Sequence, residues 1–334
     1  MSSWEGEYIT VSGCSAINLK TSDEFITALN SFSIEGLRAI EKSDLHCHSG
    51  RSGDLKYLFK DSKFNMPKHP PQRFVSLGDM QEFYSSNIKK YFNCKIGIQK
   101  RWEASFVRAK EENIKVLALS FTSEKINFVG GMEAFVKIVD GLHRQFAHDV
   151  LFLPELTFER TCDVSLELTR LDEILEANWF RSIDICNDEQ ANSVDYFVPI
   201  YRKAKKASLT LKAHVGEFGT AEDIIRAVEV LELDEIHHGI AAAKSNQIMN
   251  WLAKHRIQLN ICPSSNVMLG LVENYGNHPI RVLYDAGIPL TINTDNMLIF
   301  NQSVSKEYLN LFACGLMTAE ELNNIRLMGL MKHS

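Results

Sequence analysis

Apolar and polar positions fall into alternating blocks along the chain. From about residue 43 onward, short apolar runs recur with amphipathic stretches between them. The runs DLHCH (44–48), IKVLALSF (114–121), DVLFLPEL (149–156), FRSIDIC (180–186), SLTLKAH (208–214), EIHH (235–238), IQLNIC (257–262) and IPLTINTD (288–295) are eight strand candidates, EIHH being the weakest. Helical patterns separate them: GMEAFVKIVDGLHRQF (131–146), VDYFVPIYRKAKKA (194–207), TAEDIIRAVEVLEL (220–233) and AAKSNQIMNWLAKH (242–255). Thr220 reads as an N-cap with Asp223 three residues on, close to a capping box. Strands apolar on both faces and separated by helices predict a parallel sheet. Eight such units suit a (β/α)8 TIM barrel, for which ~250 residues is typical, better than a doubly wound open sheet.

Two stretches break the alternation. SDEFITALNSFSIEGLRAI, within 15–40, predicts extra N-terminal helix ahead of the first strand. Residues 49–113 form a long connection, with SLGDMQEFYSSNIKKYF (76–92) helical and capped by Ser76. A connection of that length suggests a helical lid over a site. The expected organisation is one barrel domain over 1–334, with 1–43 as an N-terminal extension and 49–113 as the lid-like insertion.

Composition narrows the class of function. The 334 residues are 45% hydrophobic and carry a net charge of −6, with a pI near 6.0. No basic stripe marks a nucleic-acid surface. Seven cysteines, with no CxxC pair, read as reduced thiols in a reducing compartment, so a cytoplasmic protein is expected. The first 30 residues show no signal-peptide pattern, and no apolar run is long enough for a membrane span.

In a barrel, chemistry gathers at the C-terminal ends of strands. His46 and His48 end the first strand, and their i, i+2 spacing puts both imidazoles on one face with Cys47 on the other. His214 ends the fifth strand, His237 and His238 the sixth, and Asp295 the eighth. Taken singly, each has an ordinary structural explanation: a core histidine, a turn-forming aspartate or, for Glu217, a charge at a helix entry. Their convergence on strand mouths points instead to a nitrogen and oxygen ligand set for Zn²⁺.

HCH (46–48), HVGE (214–217), HHG (237–239) and NTDN (293–296), in that order, resemble the adenosine deaminase family of the amidohydrolase superfamily. IDICNDE (183–189), CPSSN (262–266), HP (278–279) and KEY (306–308) extend the resemblance over about residues 44 to 334. It implies one Zn²⁺ per chain held by His46, His48, His214 and Asp295. It also implies Glu217 as proton donor to a ring nitrogen, with His238 orienting the attacking water or acting as its base. Asp295 would in addition hydrogen-bond that water. No PCxxC is present, so the cysteine-zinc deaminase type is excluded. No lysine follows the fourth strand where two-metal relatives carry one, which favours a single metal.

Departures from the family pattern bear on the substrate. An aspartate expected after the second histidine is replaced by Ser49-Gly50-Arg51, with Lys56 further on. Cations there suit an anionic, 5′-phosphorylated substrate. The second aspartate of NTDDP is Asn296, whose neutral amide can still donate to a purine nitrogen. Asn187 replaces a glycine and would reshape the pocket. Asn187, Asn296, Arg51 and Gly216 are therefore the substrate-binding candidates. His237 replaces a glycine and is given no role. The expected partner is a small purine nucleoside or nucleotide, and the expected reaction is its hydrolytic deamination with release of ammonia. The alternative is a superfamily hydrolase acting on a different ring amine or an amide. A binding protein without catalysis is disfavoured because every expected acid, base and ligand position is filled.

Overall fold

The computed structural model describes residues 15–60 and 62–331. Eight parallel strands run in sequential order: β1 (Lys42–His48), β2 (Ile114–Thr122), β3 (Leu151–Glu159), β4 (Ser182–Cys186), β5 (Thr210–Val215), β6 (Glu235–His238), β7 (Gln258–Ile261) and β8 (Leu290–Ile292). Sequential parallel neighbours joined by helices give the expected (β/α)8 barrel. Closure between β8 and β1 falls three residues beyond β8, where Cys47 and Asp295 form a parallel bridge. EIHH is a full strand, in register with β5 through Ala213 opposite Ile236 and His214 opposite His237.

β8 is shorter than the run 288–295 suggests, because the chain leaves the sheet at Asn293. The Asn293 side chain accepts from the Leu45 N–H at 2.7 Å and so takes over a position on the β1 ladder. The capping box at Thr220 is present in both directions and opens helix Ala221–Leu231. Residues 194–207 divide into a 3-10 turn, Val194–Phe197, and a helix, Val198–Lys206, in which Pro199 occupies the first turn, where no donor is missed.

The 49–113 connection is only partly an insertion. Its last third, Lys95–Glu111, is the barrel helix between β1 and β2. Ile98, Trp102, Phe106 and Ala109 form a stripe at three- and four-residue spacing and are buried. Trp102 and Phe106 pack edge-on against Phe121 and Phe152 respectively, with ring centroids 5.5 and 5.1 Å apart. Each large side chain on that stripe contributes roughly 1.5–3 kcal/mol by leaving water. The earlier part of the connection holds helices Leu55–Phe59 and Leu77–Asn87. Ser76 accepts from the Asp79 N–H and caps the second of these. Leu58, Phe59, Phe74, Met80, Tyr84 and Ile88 build a second apolar cluster against Leu298, Ile299 and Phe300, just past β8. This cluster fixes the insertion over the mouth of the barrel.

Helices Ser15–Asn30 and Ile34–Ala39 precede β1, as expected. Phe25 packs edge-on against Tyr308 at 5.3 Å, and the Arg326 guanidinium lies over the Phe25 ring at 5.1 Å. Buried Lys42 donates to the carbonyls of Leu37 and Ile40, satisfying the end of the second helix.

The barrel interior differs from the expectation of strands apolar on both faces. Lys212 Nζ lies 3.0 Å from Glu155 and 3.4 Å from Glu235. The Asn260 amide donates to Glu235 at 2.9 Å, and the Thr291 hydroxyl donates to Asn260 at 2.7 Å. Paired charges and amides fill the lumen, so these inward polar groups are satisfied without water.

Candidate active site

The ends of β1, β5 and β6 and the turn after β8 converge on one cleft. His46, His48 and His214 each bring a ring nitrogen within 4.8 Å of the other two. Asp295 Oδ1 stands 3.5 Å from His46 Nε2 and 3.3 Å from His48 Nε2. The neighbours of each ring decide which nitrogen is presented. His48 Nδ1 meets the Ser120 hydroxyl at 2.9 Å, and His214 Nδ1 lies 3.0 Å from Asp184 Oδ1. Both contacts leave Nε2 for the centre of the cluster. Asp184 is itself held by the Thr157 hydroxyl at 2.9 Å.

Burial holds the His46 imidazole well below its ordinary value, and burial lowers His214 to about 3. Both rings are therefore neutral, as metal ligation requires. Burial pushes Asp295 up, but His46 and His48 more than offset it and hold the carboxylate ionised. Both ring nitrogens of His46 are buried without a hydrogen-bond partner. An orphaned imidazole beside two more imidazoles and a carboxylate fits a divalent metal with nitrogen and oxygen preferences, Zn²⁺ above all.

Next to this cluster, Glu217 Oε1 lies 3.6 Å from His238 Nδ1 and has no hydrogen-bond partner. Burial raises its carboxyl well above the ordinary range, and the charges of Asp295 and Glu189 add to the effect. His238 is lowered to about 3 by burial, and its Nδ1 meets the Asn266 amide at 3.3 Å. Three non-glycine residues around the cleft take left-handed backbone: Asn187 at φ 73°, His238 at 65° and Asp295 at 56°. Such conformations cost about 1–3 kcal/mol each and concentrate where side chains must be aimed.

The substrate-binding candidates separate. Arg51, Asn187 and Asn296 line the cleft. One Asn296 N–H donates to Asp295 Oδ1 at 2.5 Å, which leaves the second N–H of the amide uncommitted and its Oδ1 without a partner. Asn187 accepts from Gln81 of helix Leu77–Asn87 at 3.1 Å, so it also ties the insertion to the cleft. Gly216 stands apart: its N–H donates to Glu189 at 2.7 Å and it does not line the cleft. The turn needs glycine because φ is +70° and a Cβ would come within 2.5 Å of Ile224. Lys56 is exposed on helix Leu55–Phe59 and is also outside the cleft.

Several residues of the site had no role in the sequence reading. Glu189 accepts from the N–H groups of Gly216, Glu217 and Phe218 at 2.7–2.8 Å and fixes the turn that carries Glu217. Asp184 and Glu189 both belong to IDICNDE, and an aspartate inside an otherwise apolar strand was the available signal. His237 is fully buried, 3.2 Å from Glu155, with its ring 3.9 Å from that of His46. It forms the floor under the cluster. Ser120 and Ser265 could not be found from spacing. Ser265 donates to Asp295 Oδ2 at 2.7 Å.

A parallel barrel with three imidazoles and a carboxylate at its C-terminal mouth defines a hydrolase of the metal-dependent amidohydrolase type. The chain belongs to the adenosine deaminase family, whose profile matches residues 113–332. An adenosine deaminase of Clostridium botulinum (strain Kyoto) is 33% identical over 299 residues, covering 84% of this chain and 89% of that protein. The adenine deaminase of Arthrobacter aurescens superposes with a TM-score of 0.75 at 22% identity, over 86% of this chain and 92% of that one. The N6-mAMP deaminase of Arabidopsis gives 0.73 at 18%, over 87% and 92%. The protein is thus an enzyme, a hydrolytic deaminase of purine substrates from a metal-dependent family. Among the described residues no helix is long and apolar enough to cross a membrane.

Proposed function

We propose that this protein is a zinc-dependent hydrolytic deaminase that converts the amino group of an aminopurine nucleoside or nucleotide to a keto group. His46, His48, His214 and Asp295 would hold one Zn²⁺. When bound, that ion supplies a water acidic enough to act as nucleophile near neutral pH. The carrying observation is the buried, unpartnered Glu217 carboxyl beside that set.

The residues divide the work by position. Attack of water on the amino-bearing carbon builds negative charge on the adjacent ring nitrogen, and Glu217 in its acid form donates a proton there. Glu189 keeps that acid in place through the turn. His238, neutral at the start, takes one proton of the attacking water and hands it to the amino group, which leaves as ammonia, while the hydroxyl proton left on the carbon returns to Glu217 as the keto group forms. Asp295 accepts a hydrogen bond from that water, and its own orientation is set by Ser265. Asn296 carries the free N–H for an acceptor nitrogen of the base.

Ammonia release from adenine, adenosine and AMP by the zinc-loaded protein, with Glu217→Gln as control, tests this reading. Release that depends on Glu217 supports it, and silence on all three with zinc bound refutes it. A different ring amine is the second reading, favoured by the Asn187 side chain where the family has glycine.

A further inference from the structure

The chain has more acidic than basic residues, 42 against 36, yet one wall of the cleft mouth reverses that balance. Arg51, Lys89, Arg101 and Lys125 all line it, with Glu124 and Glu159 as the exposed carboxylates of the same rim. The four cations come from four separate pieces of chain: the turn after β1, the 3-10 turn Lys89–Tyr91, helix Lys95–Glu111 and helix Ser123–Val129. No local repeat brings them together; the fold does.

Their partners are few. Lys125 pairs with Glu124 at 2.8 Å. The Arg51 guanidinium lies over the Tyr84 ring at 5.0 Å, and that interaction holds its plane without using its donors. Arg101 is 3% exposed; it donates to the Gly50 carbonyl at 3.0 Å and to the Tyr84 hydroxyl, and its Nε has no partner. Lys89 is half-buried and lowered from its ordinary value, first by burial and then by Lys125 and Arg51, with Glu124 acting the other way. Like charges gathered in a partly dry cleft raise the free energy of the empty site, and an anion relieves it.

We propose that Arg51 and Lys89, backed by Lys125 and the buried Arg101, form an anion subsite that takes the phosphate of a 5′-phosphorylated aminopurine substrate. The inference rests on the deaminase reading above and names the substrate class it prefers. Position supports it. The Arg51 backbone N–H donates to the His48 carbonyl at 2.9 Å, so the residue stands one turn beyond His48, and its side chain lines the same cleft. A base held over Glu217 and Asn296 directs the rest of its nucleotide toward the mouth. A planar guanidinium and an ammonium match the oxygens of a phosphate monoester.

The test uses the zinc-loaded full chain. AMP is expected to exceed adenosine in kcat/KM, and the preference is expected to shrink as salt is added. Arg51→Met and Lys89→Met should each lower the AMP-to-adenosine ratio on the order of 10- to 100-fold, chiefly through KM. Calorimetric titration with AMP and with inorganic phosphate provides a readout independent of turnover. Equal kcat/KM for AMP and adenosine, or variants that leave both the ratio and AMP affinity unchanged, would overturn the subsite. Inorganic phosphate binding as tightly as AMP would also overturn it, in favour of a free-anion site. Absence of ammonia from every compound would refute the deaminase reading, while AMP affinity that still falls in Lys89→Met would keep the anion subsite.

Discussion

The peptide of Asp295 is paired directly with that of His46. Its N–H donates to the His46 carbonyl at 2.9 Å, and its own carbonyl accepts from the His48 N–H at 3.1 Å. The same residue that completes the barrel therefore carries the carboxylate facing both histidines. Barrel closure and assembly of the candidate metal set are one structural event.

That coupling makes metal binding measurable through stability. One Zn²⁺ per chain is expected by elemental analysis, with a rise in Tm on loading, because the ion binds only the folded arrangement. Asp184→Asn should weaken zinc roughly 10- to 100-fold, since Asp184 sets the tautomer of His214. Competition with a chromogenic chelator measures the change. Unaltered affinity in Asp184→Asn would refute the assignment of His214.

Glu217→Gln should retain zinc and substrate binding but lose catalysis by roughly 10²- to 10⁴-fold, the range for a positioned general acid. Single-turnover ammonia release together with the zinc content separates the two effects. A variant that keeps near-normal turnover would remove Glu217 from the chemistry.

Gly216→Ala should destabilise the protein by about 1–3 kcal/mol, through left-handed backbone and the clash with Ile224. A second change, Ile224→Ala, empties a fully buried site and costs about 2–5 kcal/mol by itself, but in that background Gly216→Ala should cost less, because the clash is gone and only the backbone strain is left. Denaturant unfolding of the three variants checks this. No cost of Gly216→Ala in the Ile224→Ala background would show that φ costs nothing there.

Glu307 predicts a pH dependence of stability. Burial raises its carboxyl to about 8, against the lowering effect of the Ser264 N–H that donates to it at 3.0 Å. Between an unfolded value of about 4.5 and the folded value of about 8, the folded chain keeps a proton that the unfolded chain has released. The contribution of Glu307 is thus fully present below about pH 4.5 and is lost as pH rises to about 8, at up to about 1.4 kcal/mol per unit. Glu307→Gln should flatten that decline by a few kcal/mol over the same window. Parallel urea-stability curves for the two proteins would contradict it.

Strand count, parallel order and the barrel were legible from the chain, because apolar runs separated by amphipathic stretches have few other solutions. HCH, HVGE and NTDN were legible for a local reason: each sits at the end of a strand, and a barrel collects strand ends at one mouth. The helix over 95–111 could have been read from Ile98, Trp102 and Phe106, but the length of the surrounding connection concealed it. Contacts between residues distant in sequence could not be read at all. Glu189 reaching the turn at 216–218, His237 lying under His46, and Lys89 sharing the cleft mouth with Arg51 and Lys125 depend on how separate elements cross in space. Spacing along the chain encodes which face a side chain occupies. It does not encode which remote groups share that face, and packing of the whole barrel against its insertion supplies that part.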